Sequence, residues 1–252
     1  MERKNDWCKQ EERSIPCPIC QGAGFTRVDV PPGHQHFGKA LECGCQQAAK
    51  QERRQRELLA FSQLERFELF HSAQFSTFNL RVPGVQEAHR VARAFACRPQ
   101  GWLLLVGNHG CGKTHLVMAI TKVCLERGMA VLFAVVPDLL DHLRATVTPD
   151  AQEQFETRFL MLREADVLVL DDLGTQQRSP WVDEKLFQLL NYRYTMRIPT
   201  VMTIHPQGLH ELDDHIRSRL SDASLVTTVM MTDAQDYRPF TSPKRRTKPL
   251  QE

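Results

Sequence analysis

The sequence has no stretch near the roughly 20 consecutive apolar residues that a membrane-spanning helix needs. Its first residues, MERKNDWCKQEER, are charged where a secretory signal would be apolar. A strong charge of either sign is also missing. Thirty-two lysines and arginines against 30 aspartates and glutamates leave a formal net charge of +2. Composition alone therefore points to no polyanionic or membrane partner. There is no internal repeat and no long low-complexity tract, which argues against a solenoid or a mainly disordered chain. What remains is ordinary for a soluble globular protein: 42% hydrophobic and 25% charged residues in a chain of 252. That length holds one full domain and a smaller module, and a cytoplasmic protein is the expectation.

Charge is clustered even though it is balanced. Lys50, Arg53, Arg54 and Arg56 form one basic run, and Lys244, Arg245, Arg246 and Lys248 form another. Each run suits nucleic-acid phosphate or a solvated surface equally well. Eight cysteines are many for a cytosolic protein, where disulfides are rare, and they direct attention to a metal. Four of them pair up as Cys17-Pro-Ile-Cys20 and Cys43-Gly-Cys45. Residues 14–45 contain Gly-rich turns and little apolar periodicity, so they cannot build a core of their own. Four thiolates in two closely spaced pairs suit a tetrahedral structural Zn²⁺, whose binding energy would replace the missing core. His34 and His36 are alternative ligands. A closed four-thiolate site leaves no position for a substrate, so its expected role is structural.

From residue 46 to 71 the chain has no Gly or Pro, and Leu58, Phe61, Leu64 and Phe67 recur at helical spacing. One linking helix is expected there. Beyond it a helix is predicted over 86–97, then strands at 102–106, 130–136, 167–170, 200–204 and 225–230. Helices over 113–127, 137–145, 152–164, 180–195 and 206–220 fall between them. Continuous apolar strands alternating with helices predict an α/β fold, a parallel sheet covered on both faces.

The segment Gly107-Asn108-His109-Gly110-Cys111-Gly112-Lys113-Thr114, followed by His115, fits G-x-x-x-x-G-K-T. It lies between a predicted strand and a predicted helix, the context that phosphate binding requires. Backbone N–H groups and the helix start would cradle the phosphates of ATP. Lys113 would reach the β- and γ-phosphates, and the Thr114 hydroxyl would ligate Mg²⁺. Residues 167–170 form an apolar strand that runs into Asp171 and Asp172. Asp171 is the expected Mg²⁺ ligand, directly or through water, and Asp172 the base for an attacking water. The strand ending at Thr203-Ile-His205 offers polar groups at its tip. Arg217 and Arg219 lie on the helix that follows it, where an arginine can serve a neighbouring subunit's ATP.

These elements, in this order, resemble an AAA+ ATPase, and more closely the DnaC/DnaI-type bacterial replicative helicase loaders. The resemblance runs from Phe75-Ser-Thr-Phe78 through Gly112-Lys-Thr-His-Leu116, Leu170-Asp-Asp-Leu-Gly174, Asn191-Tyr-Arg193 and Ser218-Arg-Leu220 to Asp236-Tyr-Arg238. IstB-type transposition ATPases share most of this core. The resemblance implies a zinc-binding module over 1–45, a helical linker over 46–72, an AAA+ domain over 73–240 without a helical lid, and a basic disordered tail over 241–252. It places Thr203 or His205 at the sensor position and Arg219 at the arginine-finger position. Relatives usually carry Asn where this chain has His205. The implied activity is slow, regulated ATP hydrolysis. The implied partners are a hexameric replicative helicase, single-stranded DNA and further copies of the chain. An IstB-type helper acting on duplex DNA, or a zinc-bearing adaptor that binds ATP with little turnover, would use the same residues.

Overall fold

The computed structural model describes residues 17–62, 64–145 and 152–236. The first residues, the basic tail, and Tyr237 and Arg238 lie outside the described residues. The chain divides into two compact units, the first ending at Arg53 and the second beginning at Arg54.

In the first unit, strands β1 (Phe25–Arg27) and β2 (Ala40–Glu42) form a two-stranded antiparallel ladder, with Thr26 opposite Leu41. Helix α1 (Gly44–Ser62) begins directly after it and continues into the second unit. Apart from Cys20, Gly24 and Cys43, the described residues of this unit are at least partly exposed. Two three-residue strands with so little burial cannot hold themselves together.

The second unit is built on five parallel strands in the order β4-β5-β6-β3-β7. They are β3 (Trp102–Gly107), β4 (Val131–Val135), β5 (Val167–Leu173), β6 (Thr200–Ile204) and β7 (Val226–Met231). Strands β3, β5 and β6 lie inside the sheet and are buried on both faces, which explains their unbroken apolar runs. Alternate residues of β3 serve opposite layers. Trp102, Leu104 and Val106 pack with α5 (Val136–Arg144), α6 (Gln152–Glu164), α7 (Pro180–Thr195) and α9 (Asp214–Leu220). Leu103 and Leu105 pack with α3 (Gln86–Cys97) and α4 (Lys113–Glu126). Helices cover both faces, as the sequence predicts.

Two predicted helices are interrupted. The linking helix ends at Ser62, and the short α2 (Glu68–Ser72) follows a single 3₁₀ turn at Leu64–Arg66. The break lets Leu64 bury completely and lets the Ser62 hydroxyl accept from the Phe133 N–H at 2.9 Å. The helix expected over 206–220 is two helices, α8 (Pro206–Glu211) and α9. Asp213 starts the second by accepting from the His215 N–H at 2.9 Å, an N-cap that satisfies one orphan donor.

The basic run on α1 is engaged inside the protein. Lys50 pairs with Glu42 at 2.7 Å, and Arg54 pairs with Asp166 at 3.7 Å and donates to the Glu164 carbonyl.

Arg193 is a fully buried cation in α7. It donates to the carbonyls of Leu162, Arg163, Ala165 and Pro199 and to the Thr200 hydroxyl. Burial pushes its pKa down to about 9. It joins the end of α6 to the starts of β5 and β6, and so fixes the strands whose other ends carry the site.

Candidate functional site at the strand tips

All five parallel strands point their carboxyl ends to one edge, where open α/β sheets place ligands. The loop from Gly107 to Gly112 leaves β3 there and opens α4. Gly112 caps α4 with φ 97° and no side-chain partner, a backbone that only glycine adopts easily. A β-carbon at Gly112 would also come within 2.7 Å of the Phe78 ring. The first N–H groups of the 14-residue α4 are thus available to an anion. Lys113 is buried and donates to the carbonyls of Gly107 and Asn108 at 2.8 and 2.9 Å. The Asn108 amide donates to the Thr232 carbonyl at 3.0 Å, tying the loop to the segment after β7. Cys111 is buried among Leu105, Leu116 and Met231; its thiol fills core beneath the loop. Gly110 lies against the Asp236 carboxylate and has no room for a β-carbon.

The acidic pair is shaped by a bulge. Pairing between β5 and β6 shifts register between Leu170 and Leu173, and Asp172 takes φ 56°, a left-handed backbone that Asp tolerates better than most residues. A bulge re-aims side chains that would otherwise alternate strictly. Asp171 is 2% exposed. Burial raises its pKa to about 6, against hydrogen bonds from the Thr203 and Thr114 hydroxyls and the charge of Lys113 that lower it. Thr203, fully buried, donates to Asp171 Oδ1 at 2.6 Å and accepts from the Asp172 N–H at 2.9 Å. The structure therefore gathers Lys113, Thr114, Asp171, Asp172 and Thr203 at one place.

His205 sits one residue past β6. Its Nδ1 accepts from the Gln207 N–H at 3.3 Å to cap α8, which leaves the proton on Nε2. Its ring stacks on His109 of the phosphate loop at 4.6 Å and 16°. Burial, His109 and Lys113 together lower its pKa. His115 points elsewhere: its ring meets Phe78 edge-on at 5.3 Å, and its Nε2 lies 2.9 Å from the Gln74 carbonyl.

Phe78, Val82, Val85, Asn79 and His115 line a cavity of about 420 Å³ that opens onto Gly110–Gly112. Sequence alone gives Phe78 no role beyond its place in the family resemblance. The cavity forms from segments far apart in the chain, and no local spacing signals it.

Arg219 lies away from these groups, on α9. Its guanidinium donates to Asn191 Oδ1 from Nε at 3.0 Å and from Nη2 at 2.5 Å. It also covers the Phe187 ring at 4.6 Å.

In the first unit, one sulfur from each of Cys17, Cys20, Cys43 and Cys45 lies within 4.8 Å of the others. Cys17–Cys43 is 3.8 Å and Cys20–Cys45 is 3.4 Å. Four Zn–S bonds of about 2.3 Å in a tetrahedron put sulfurs about 3.8 Å apart, so this donor set fits zinc. The Gly24 backbone, more than any other group, draws Cys20 down to about 6, which favours the thiolate that a metal needs. Hydrogen bonding with Cys20, and then with Cys43, pushes Cys45 up to about 12. The His34 and His36 rings lie 5.4 Å apart, tilted by 43°, and neither is among the four clustered ligands.

No helix among the described residues is long and apolar enough to cross a membrane. An insertion-sequence ATP-binding protein of Sinorhizobium fredii is 32% identical over 133 residues, covering 50% of this chain and 43% of that protein. The replicative helicase loader DnaC of Escherichia coli is 26% identical over 157 residues, covering 61% of this chain and 63% of DnaC. The crystal structure of DnaI superposes with a TM-score of 0.55 at 26% identity, covering 66% of this chain and 93% of that one. The chain spans less than two thirds of the length of each of these two curated relatives. Residues 40–232 match the family described as IstB-like ATP binding protein. The phosphate loop and the acidic strand tip lie within that match, which covers more than half of the chain, and the chain belongs to the IstB-like ATP-binding family.

Proposed function

We propose that this chain is an ATP-hydrolysing switch that binds a hexameric replicative helicase and helps place it on single-stranded DNA. The observation that carries the reading is the hydrogen-bonded group Thr114–Asp171–Thr203–Asp172 beside the buried Lys113, in a chain 61% of which is similar to a named helicase loader. In this reading Lys113 holds the phosphates, Thr114 and Asp171 hold Mg²⁺, and the cation supplies charge neutralisation to the phosphoryl group. Asp172 orients water and accepts its proton. Thr203 has its hydroxyl engaged by both aspartates, so its part is to align them. His205, with Nε2–H uncommitted, is the group offered to the terminal phosphate. The cavity at Phe78 takes the base. The four-thiolate unit, loaded with zinc, is the part that docks on the helicase. Turnover is slow and responds to partners, as befits a switch.

A second reading has its own support, since the insertion-sequence relative shares 32% identity. There the same ATP core would serve transposition on duplex DNA. One experiment separates the two: a tagged chain is used to capture partners from its native host with and without ATP. Retention of a ring helicase supports the first reading. ATP-dependent oligomers on duplex DNA with no helicase support the second and overturn the first. In parallel, Lys113→Ala should lose nucleotide binding, and normal ATP affinity in that variant would overturn the site itself.

A further inference from the structure

Helix α7 presents Phe187, Asn191 and Tyr194 at spacings of four and three, which puts them on one face. Arg219 of α9 lies across that face. Its charge sits 4.6 Å over Phe187 and 5.6 Å from Tyr194. Asn191 Oδ1 takes two of its N–H groups, and the His215 carbonyl takes a third, from Nη1, at 2.9 Å. A guanidinium has five N–H donors. Three are engaged here, and the two left over are one on each terminal nitrogen, the fork that grips two oxygens of one phosphate or carboxylate. Among the described residues no carboxylate pairs with Arg219, whereas Arg178, Arg217 and Arg90 each pair with an acid nearby. The arginine is thus fixed by a neutral amide and two rings, with its charge uncancelled.

We infer that Asn191, backed by Phe187, is a positioning residue that presents the free fork of Arg219 to the phosphate of a nucleotide held by a second copy of the chain. The inference rests on the ATPase reading above and deepens it. A neutral acceptor is what such a device needs. A carboxylate at position 191 would hold the guanidinium at least as firmly, yet it would cancel the charge that an incoming phosphate must feel.

That contrast gives the test. ATP hydrolysis, nucleotide affinity and thermal midpoint are measured for the full chain and for Asn191→Ala, Asn191→Asp and Arg219→Ala, at concentrations where the chain self-associates. Asn191→Ala should lower kcat roughly ten- to a hundredfold, the usual cost of a misplaced group, with nucleotide affinity within about twofold. Asn191→Asp should fall towards the Arg219→Ala rate while melting no lower than the unmodified chain. If Arg219→Ala is inactive and Asn191→Asp hydrolyses ATP normally, Asn191 only holds the fold together, and the inference fails alone. If Arg219→Ala hydrolyses ATP normally, the intersubunit role of Arg219 fails and the inference with it.

Discussion

Replacing Asp171 with Asn should make the protein more stable while it disables the site. The carboxyl group is 2% exposed, and its pKa stands at about 6 against an ordinary 3.8. Raised in the folded state, the group disfavours folding wherever the unfolded chain would ionise it more readily. That penalty is absent below pH ~4, grows as pH rises, and is complete above the folded value. A shift of about two units corresponds to ~3 kcal/mol. The amide removes the charge and keeps the partners: its Oδ1 can accept from Thr203, and its NH₂ can donate to the Thr114 hydroxyl with the roles reversed. Allowing for the amide's own desolvation, the Asp171→Asn variant should gain ~1–3 kcal/mol at pH 7.5, and the gain should shrink by about half at pH 5. Urea unfolding followed by tryptophan fluorescence, to which Trp102, buried in β3, contributes, measures this in buffer free of Mg²⁺ and nucleotide. Equal or lower stability at pH 7.5, or a gain that does not shrink in acid, would refute the idea that this carboxylate is held at a cost.

Two further outcomes can be measured directly. Arg193→Leu leaves the buried carbonyls of Leu162 and Ala165 and the Thr200 hydroxyl without a donor, so it should cost ~3–5 kcal/mol; an unfolding midpoint within error of the parent would show that the network contributes nothing. The parent should purify with one zinc, and Cys17→Ser or Cys43→Ser should fall below about half an equivalent while nucleotide affinity holds. Full zinc in either variant would count against the four-cysteine site.

The parts of this protein that read directly from sequence are those where chemistry fixes both residue type and spacing. A phosphate loop needs glycine where the backbone turns left-handed, and lysine and a hydroxyl at the helix start, so residues 107–114 announce themselves. The two cysteine pairs do the same, and the fold brings their four sulfurs together. Asp213 has the residue type of a cap, yet the apolar pattern over 206–220 masks the break that it marks. The end of the linking helix carries no such signal. Ser62 and Leu64 stop it because β4 and the core behind it take up the hydroxyl and the leucine, and only the assembled sheet supplies those partners. Thr203 follows the same rule. As a strand tip it is legible, but its place between Asp171 and Asp172 exists only because β6 lies beside β5 and β5 bulges there. Asn191 and Arg219 are 28 residues apart, joined by the crossing of α9 over α7. Sequence spacing can nominate an arginine; what holds it, and which of its donors remain free, is decided by helices that meet only in the fold.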